Sequence, residues 1–280
     1  GPMQIRNDWH VHTRNSPCGN KDAALARLAE RIAATEVTRW GVTDHIFTEQ
    51  NIADLEAARR EYDALPEKDH VAFAVEASVL RDWDIQRTRS EGNIWGWFPG
   101  GPPGQLDLVL PDEVVQRLGI QYVIAGTHWP LGAEMKPEAM VRDYHRQNMF
   151  LAEHPSVTII AHPWWWRDKY TKANGEMVPF PWLADFSIVP QSMHDEFAAA
   201  ARENGKIVEA NASIVFSDKG GDRWRRQYGE YLALLRETGC TFSTGSDSHG
   251  ADYTRWPEEF GDHLASLGFT EEDFWQGPSR

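Results

Sequence analysis

Cysteine is almost missing from this chain: Cys18 and Cys240 are the only two in 280 residues. Two thiols cannot build a disulfide framework in a chain of this size, so a reducing compartment, the cytoplasm, is the expected location. Long apolar runs are missing as well. No stretch approaches the ~20 residues that cross a bilayer, and no basic segment followed by an apolar one opens the chain, so a membrane partner is not expected. Positive charge is in deficit, with 28 Lys and Arg against 42 Asp and Glu and a net charge of -14. Binding along a phosphate backbone needs clustered Lys and Arg to displace counterions, which makes nucleic acid an unfavoured partner. A single phosphate can still be held by such a protein, because bound divalent cations are often the largest charges in a site. No internal repeat or low-complexity tract is present, which removes solenoids and propellers.

What is present is enough apolar material for a sizeable core, 41% of the residues. This length suits two small domains or one α/β barrel. One unit over residues 3–280 is expected, because the candidate ligands described below run from residue 10 to residue 249. Gly1-Pro2 ahead of Met3 reads as a remnant of tag cleavage and is left out of fold reasoning. Short runs rich in Val, Ile and aromatics predict strands near 4–12, 38–44, 71–77, 121–127, 157–162, 206–211 and 241–247. Apolar recurrence at three and four residues predicts helices over 22–34, 53–65, 112–118, 137–154, 191–204 and 223–238. Gly205 and Gly239, each just past a helical run, are expected C-cap glycines. Strands alternating with helices argue for βα units around a parallel sheet.

Two ligand-x-ligand pairs then stand out, His10 with His12 and Asp247 with His249. In an extended strand alternate side chains share a face, so each pair aims two donors at one spot. Imidazole and carboxylate suit zinc, manganese or iron. The other predicted strands also end in such groups: Asp44 and His45, Glu76, His128, His162, and Glu209 or Asn211. Parallel barrels gather their chemistry at the C-terminal ends of the strands. A single histidine is more often a hydrogen-bonded core residue than a ligand; the ordered set reverses that expectation. His70, His145, His154, His194 and His263 lie off the strand ends and are expected in surface or local hydrogen-bonding roles.

The segments Asp8-Trp9-His10-Val11-His12-Thr13 with Ser16-Pro17-Cys18-Gly19, Thr43-Asp44-His45, Phe73-Ala74-Val75-Glu76-Ala77, Val123-Ile124-Ala125-Gly126-Thr127-His128, Ile159-Ile160-Ala161-His162-Pro163 and Gly245-Ser246-Asp247-Ser248-His249 occur in this order. Together they resemble the PHP (polymerase and histidinol phosphatase) superfamily. The resemblance implies a distorted (β/α)7 barrel in a single domain, close to the (β/α) barrels in architecture. It also implies a cluster of two to three divalent ions. His10, His12, Glu76 and Asp247 would surround the first; Glu76 as a bridge, His128 and His162 the second; His45, His249 and Cys18 the third. Cys18 replaces the His or Asp more usual there, and its thiolate would favour zinc or iron over magnesium.

The implied activity is hydrolysis of a small-molecule phosphate ester by a metal-bridging water, with Glu76, Asp247 and His249 around it. Arg14 and Arg167 are candidates for gripping phosphate oxygens, and Asp8 and Asp44 for steadying neighbouring ligands. A Gly/Pro-rich insertion over 78–105, carrying Trp83, Trp95 and Trp97, is expected as a loop over the barrel mouth. With Trp129 and Trp165 it would wall a pocket for a flat or apolar substrate part, or else pack the insertion onto the barrel. Two other functions compete. One keeps the cluster but opens a cyclic amide or ester; the other is a non-catalytic or nucleic-acid-processing module, which the acidic charge and the retention of nearly all ligand types disfavour.

Overall fold

The computed structural model describes residues 3–166, 169–171, 174–179, 185–217, 220–253 and 255–279. In chain order the first half runs β1 (Asn7–Val11), α1 (Leu25–Ala33), β2 (Arg39–Val42), β3 (His45–Ile46), α2 (Ile52–Asp63), β4 (Val71–Phe73), β5 (Val75–Ser78), β6 (Leu80–Arg81), α3 (Asp82–Glu91), β7 (Leu106–Asp107) and α4 (Asp112–Arg117). The second half runs β8 (Val123–Gly126), α5 (Pro137–Glu153), β9 (Ile159–Ile160), β10 (Lys169–Thr171), β11 (Met177–Pro179), α6 (Gln191–Glu203), β12 (Ile207–Asn211), α7 (Ala212–Val215), α8 (Gly221–Glu237), β13 (Thr241–Gly245) and α9 (Trp256–Ser266). Among the described residues no helix is long and apolar enough to cross a membrane.

The helices follow their apolar spacing. In α1 the buried positions are Leu25, Leu28 and Ile32, one stripe at helical period. In α8, Trp224, Tyr228, Tyr231, Leu232 and Leu235 do the same with larger side chains. Gly205 and Gly239 adopt φ of 63° and 92°, the left-handed turn that a side chain would strain. Beyond them Lys206 N donates to Ala201 O and Cys240 N to Leu235 O, the six-to-one bond of a Schellman cap.

The strands form an α/β architecture with parallel pairing in two sheets, β1-β2-β4 and β13-β12-β9-β8-β5-β3. The two are joined by the chain itself, since β2 continues into β3 across Thr43-Asp44 and β4 into β5 across Ala74. Glu76 N donates to Asp44 O and Ala74 N to Val42 O across these breaks. At the far edge Asp247 N donates to His10 O and His12 N to Ser248 O. The single strands predicted over 38–44 and 71–77 are thus each two pieces, because they turn from one sheet into the other. All parallel pairs point the same way, so His45, Glu76, His128, His162, Asn211 and Asp247 emerge at one end.

The insertion over 78–105 differs from the loop expected there. Its residues 82–91 form α3, and β6 pairs antiparallel with β7 to close its base. Helical periodicity missed α3 because polar residues hold it: Arg81, fully buried, pairs with Asp84 at 2.8 Å. The same guanidinium donates to Phe98 O, Gly100 O and Pro102 O, tying the Gly/Pro segment down.

Candidate metal centre

β1 carries His10 and His12 to the end of the sheets, both fully buried. There His10 Nε2 lies 2.8 Å from Glu76 Oε1, 3.1 Å from His12 Nε2 and 3.2 Å from Asp247 Oδ1. His12 Nε2 lies 3.0 Å from the same Glu76 oxygen and 3.1 Å from the same Asp247 oxygen. The second Glu76 oxygen, Oε2, faces His128 Nε2 at 3.0 Å and His162 Nε2 at 3.4 Å. Potential donor atoms of His45, Glu76 and His128 converge, as do those of His12, Cys18, His45 and His249, each set within 4.8 Å. His45 and His12 therefore stand in two groups each, whereas the sequence reading placed each in one.

This packing fits divalent ions and is poorly explained without positive charge. Two imidazole lone pairs and two carboxylate oxygens repel at about 3 Å unless a cation or shared protons lie among them. Donor atoms bonded to one tetrahedral zinc at ~2.0–2.1 Å stand about 3.3 Å apart, close to the 2.8–3.2 Å found here. Apart from the Nε2 atoms of His10 and His12, the buried Asp247 Oδ1 has no hydrogen-bond partner. The far sides of four of the six rings are spoken for: His10 Nδ1 meets Glu209 Oε2 at 2.5 Å, His12 Nδ1 meets Ser16 Oγ at 2.9 Å, His128 Nδ1 meets Ser78 Oγ at 2.9 Å and His249 Nδ1 meets Asp247 O at 2.7 Å. An acceptor at Nδ1 fixes the proton there and turns the Nε2 lone pair into the cluster.

The electrostatics agree. Burial opposes charge on His10, yet Asp247, Glu209 and Glu76 raise its pKa well above the usual imidazole value. Burial likewise opposes charge on His12, but hydrogen bonds to Asp247 and Glu76 lift it to about 9. Glu76 and Asp247 are held well below the carboxylate range against their burial, chiefly by His10. His45 moves the other way, pushed well down by burial, and His249 falls to about 4 for the same reason and for the nearby His12. Cys18 is pushed up to about 12 by burial and by Glu76 and Asp247. Protons on His10 and His12 occupy the place of cations beside the ionised Glu76 and Asp247, while His45, His249 and Cys18 stay neutral.

Backbone strain marks the same spot. His162, Trp164 and Asp247 have φ of 23°, 64° and 56°, a left-handed region costly for residues with side chains and concentrated at functional sites. That turn ends β9 at Ile160 and explains why the strand predicted over 157–162 is short. Asn211 steadies Asp247, its Nδ2 lying 3.2 Å from Asp247 Oδ2 and 2.9 Å from Glu209 Oε1. Asp8 and Asp44 act on the backbone: Asp8 accepts from His10 N, Ser246 N, Ser246 Oγ and Tyr253 OH, and Asp44 from Thr13 N and Oγ1.

A cavity of about 360 Å³ opens over the cluster, walled by Phe47, Trp95, Trp165, Trp166, Ile214 and Trp224. Trp95 and Trp165 are the expected wall residues that line it. Trp97 and Trp129 do not; they stack on each other at 4.8 Å and 5°, with Trp97 Nε1 donating to Pro130 O. Arg14 is exposed, paired with Glu61 at 3.2 Å and away from the cavity, so it is not positioned to grip a ligand there. Arg167 lies outside the described residues. Glu209 and Asn211, which sequence reasoning left between structural and catalytic roles, belong to the centre's hydrogen-bond network. Ser16 and Ser78 were missed, although each had a signal: Ser78 shares a strand face with Glu76, and Ser16 closes the turn after His12. His194, expected at the surface or in local bonding, is buried beside Phe186.

No family model matches this sequence, and no curated protein matches it. Solved structures do. A histidinol phosphate phosphatase from Lactococcus lactis subsp. lactis Il1403, determined with zinc, L-histidinol and phosphate, overlays with a TM-score of 0.56 at 14% identity over 94% of each chain. A candidate histidinol phosphatase from Listeria monocytogenes overlays at 0.58 and 13% identity, over 88% of this chain and 96% of its own. At such identities the likeness speaks for the fold alone: this chain shares the fold of these two structures.

Proposed function

We propose that the protein is a metal-dependent phosphoesterase acting on a small-molecule phosphate monoester. We read the two sheets as sectors of one distorted barrel, whose C-terminal mouth is the cavity over the cluster. The observation that carries the proposal is Glu76, a buried carboxylate whose two oxygens face separate sets of histidines, as a bridge between two ions requires. His10, His12, Glu76 and Asp247 would hold one ion, Glu76 with His128 and His162 or His45 a second, and Cys18, His45 and His249 a third. Ions in such sites lower the pKa of water and neutralise charge on phosphoryl oxygens. The protein's part is to aim the Nε2 lone pairs through Glu209, Ser16 and Ser78, to keep Glu76 and Asp247 ionised, and to shield the site with aromatic walls. In the net reaction a water oxygen forms a bond to phosphorus, the ester P–O bond breaks, and a proton ends on the departing oxygen.

A second reading, attack on the carbonyl of a cyclic amide or ester, is favoured by one observation. Among the described residues lining the cavity there is no lysine or arginine. Metal analysis of the chain purified without chelator, with phosphate release from a panel of monoesters measured on the same sample with added zinc, manganese or iron, decides the matter. Two to three ions per chain with metal-dependent phosphate release is the expected result. Bound ions without phosphate release turn the assignment to the carbonyl reaction, and a chain that binds none ends both.

A further inference from the structure

We infer that the substrate is the phosphate ester of a flat aromatic hydroxyl compound, one whose ester oxygen leaves as a phenolate-like anion; this rests on the phosphoesterase reading. Two independent features of the cavity lead there. The first is shape. Aromatic rings of the wall pack directly against the cluster: Phe47 lies edge-on to His128 at 5.6 Å, and Trp165 lies edge-on to the same ring at 6.0 Å. Trp165 also approaches His162 at 5.5 Å, and Trp95 packs on Phe47 at 5.6 Å. An ester group on a phosphate held over Glu76 would therefore meet aromatic rings. The volume of about 360 Å³ is near the lower end of small-molecule sites, which run from about 300 to 1,000 Å³, and leaves room for a ring system. Aromatic faces of this kind favour offset or edge stacking of a planar group.

The second feature concerns the departing oxygen. Every titratable side chain among the described residues around the cavity belongs to the candidate ligand set. Of the four histidines that line the cavity, His128 and His249 have Nδ1 held by Ser78 Oγ and the Asp247 carbonyl, and Nδ1 of His45 and of His162 is buried, so none of the four presents an Nδ1 proton to the cavity. An aliphatic alkoxide, with a pKa near water's at about 15.7, departs poorly without a proton donor. A phenolic oxygen, with a pKa of about 10, departs as the anion and collects its proton from solvent. As the water oxygen bonds to phosphorus, the P–O(aryl) bond breaks and its electron pair leaves with the aryl oxygen. Shape and leaving group thus select the same class.

Three esters separate the two features: phenyl, benzyl and cyclohexyl phosphate. Phenyl and benzyl phosphate both carry an aromatic ring, whereas benzyl and cyclohexyl phosphate both have an aliphatic leaving oxygen. With the zinc-loaded chain the expected KM for phenyl and benzyl phosphate is about tenfold below that for cyclohexyl phosphate, and kcat for phenyl exceeds that for benzyl by at least about tenfold. Trp165→Leu should raise the KM for benzyl phosphate more than that for cyclohexyl phosphate, narrowing the KM gap between them, while Trp165→Phe restores it. Binding of non-hydrolysable phenylphosphonate, read by tryptophan fluorescence, should weaken in Trp165→Leu in parallel. A cyclohexyl KM within twofold of benzyl's, or equal kcat for benzyl and phenyl, overturns the inference and leaves the phosphoesterase standing. No phosphate from any of the three by a chain that retains its zinc sinks both.

Discussion

Glu209 is the residue through which the centre can be disturbed most selectively, and Glu209→Gln is the substitution to make. The carboxylate is buried, and each oxygen is committed: Oε1 accepts from His162 N and Asn211 Nδ2, both at 2.9 Å, and Oε2 accepts from His10 Nδ1 at 2.5 Å. Glutamine has the same shape but only one acceptor. Its oxygen must stay on the side where two N–H groups donate, which turns its amide N–H₂ toward His10 Nδ1. Two donors then face each other, and the imidazole escapes only by moving its proton to Nε2, the atom that points at Glu76 and Asp247. The variant thus loses a hydrogen bond to a charged group, worth about 1.5–3 kcal/mol, equal to roughly 10–100-fold in ion affinity. Partners behind a ligand histidine elsewhere set affinities by about the same factor. Competition against a chelator of known zinc affinity measures it, with far-ultraviolet circular dichroism to establish that the variant is folded. A folded Glu209→Gln chain that binds zinc within twofold of the parent would refute the argument, since His10 would then not depend on its rear partner.

Other parts of the centre carry their own expectations. Cys18→Ser should reduce the ions held per chain by one and abolish the sulfur-to-metal absorption band of the cobalt-loaded protein; an unchanged band would place the thiolate elsewhere. In the metal-free protein the folded pKa of His12, about 9, lies above the ordinary 6.5, so protonated His12 contributes stability that is fully present below pH 6.5 and is lost as pH rises through 9. Melting temperatures of the metal-free chain should therefore fall between pH 6.5 and 9, while zinc affinity rises across the same window as protons stop competing; a flat metal-free profile would contradict the packing described. Trp97→Ala removes the stacked pair with Trp129 outside the cavity and should cost about 1–3 kcal/mol in denaturant unfolding at unchanged kcat/KM, whereas a selective rise in KM would return Trp97 to the pocket.

The parts of this arrangement that could be read from the chain are those with a local signature. His10 and His12 needed only the alternation of an extended strand, and Gly205 and Gly239 only the end of an apolar stripe. α9 had such a stripe, Pro257, Phe260, Gly261 and Leu264, with Pro257 in its first turn, yet it lies outside the helices predicted from the sequence. α3 had none, because its anchor is a buried Arg81–Asp84 pair whose other partners, Phe98 O, Gly100 O and Pro102 O, lie well along the chain. Arg14 shows the opposite failure: a basic residue next to a ligand motif was assigned to the pocket by proximity in sequence, but Glu61, 47 residues away, holds it at the surface.

How the ligands are shared is a property of three-dimensional closure, and no strand carries it alone. Glu76 faces His10 and His12 with one oxygen and His128 and His162 with the other because β5 lies between β3 and β8, with β1 reached across the turn from one sheet to the other. His162 and Asp247 reach the same point only by left-handed backbone, a cost that nothing in their own segments repays. The return comes from the cluster: Asp247 Oδ1 lies within 3.2 Å of two imidazole nitrogens, and the main-chain N–H of His162 is fixed by Glu209. A strained backbone persists where surrounding contacts over-determine it, so these two turns are held by the same carboxylates and histidines that they serve to position. Sequence reasoning could name the ligands one strand at a time; the constraint that bends the chain to bring them together belongs to the assembled site.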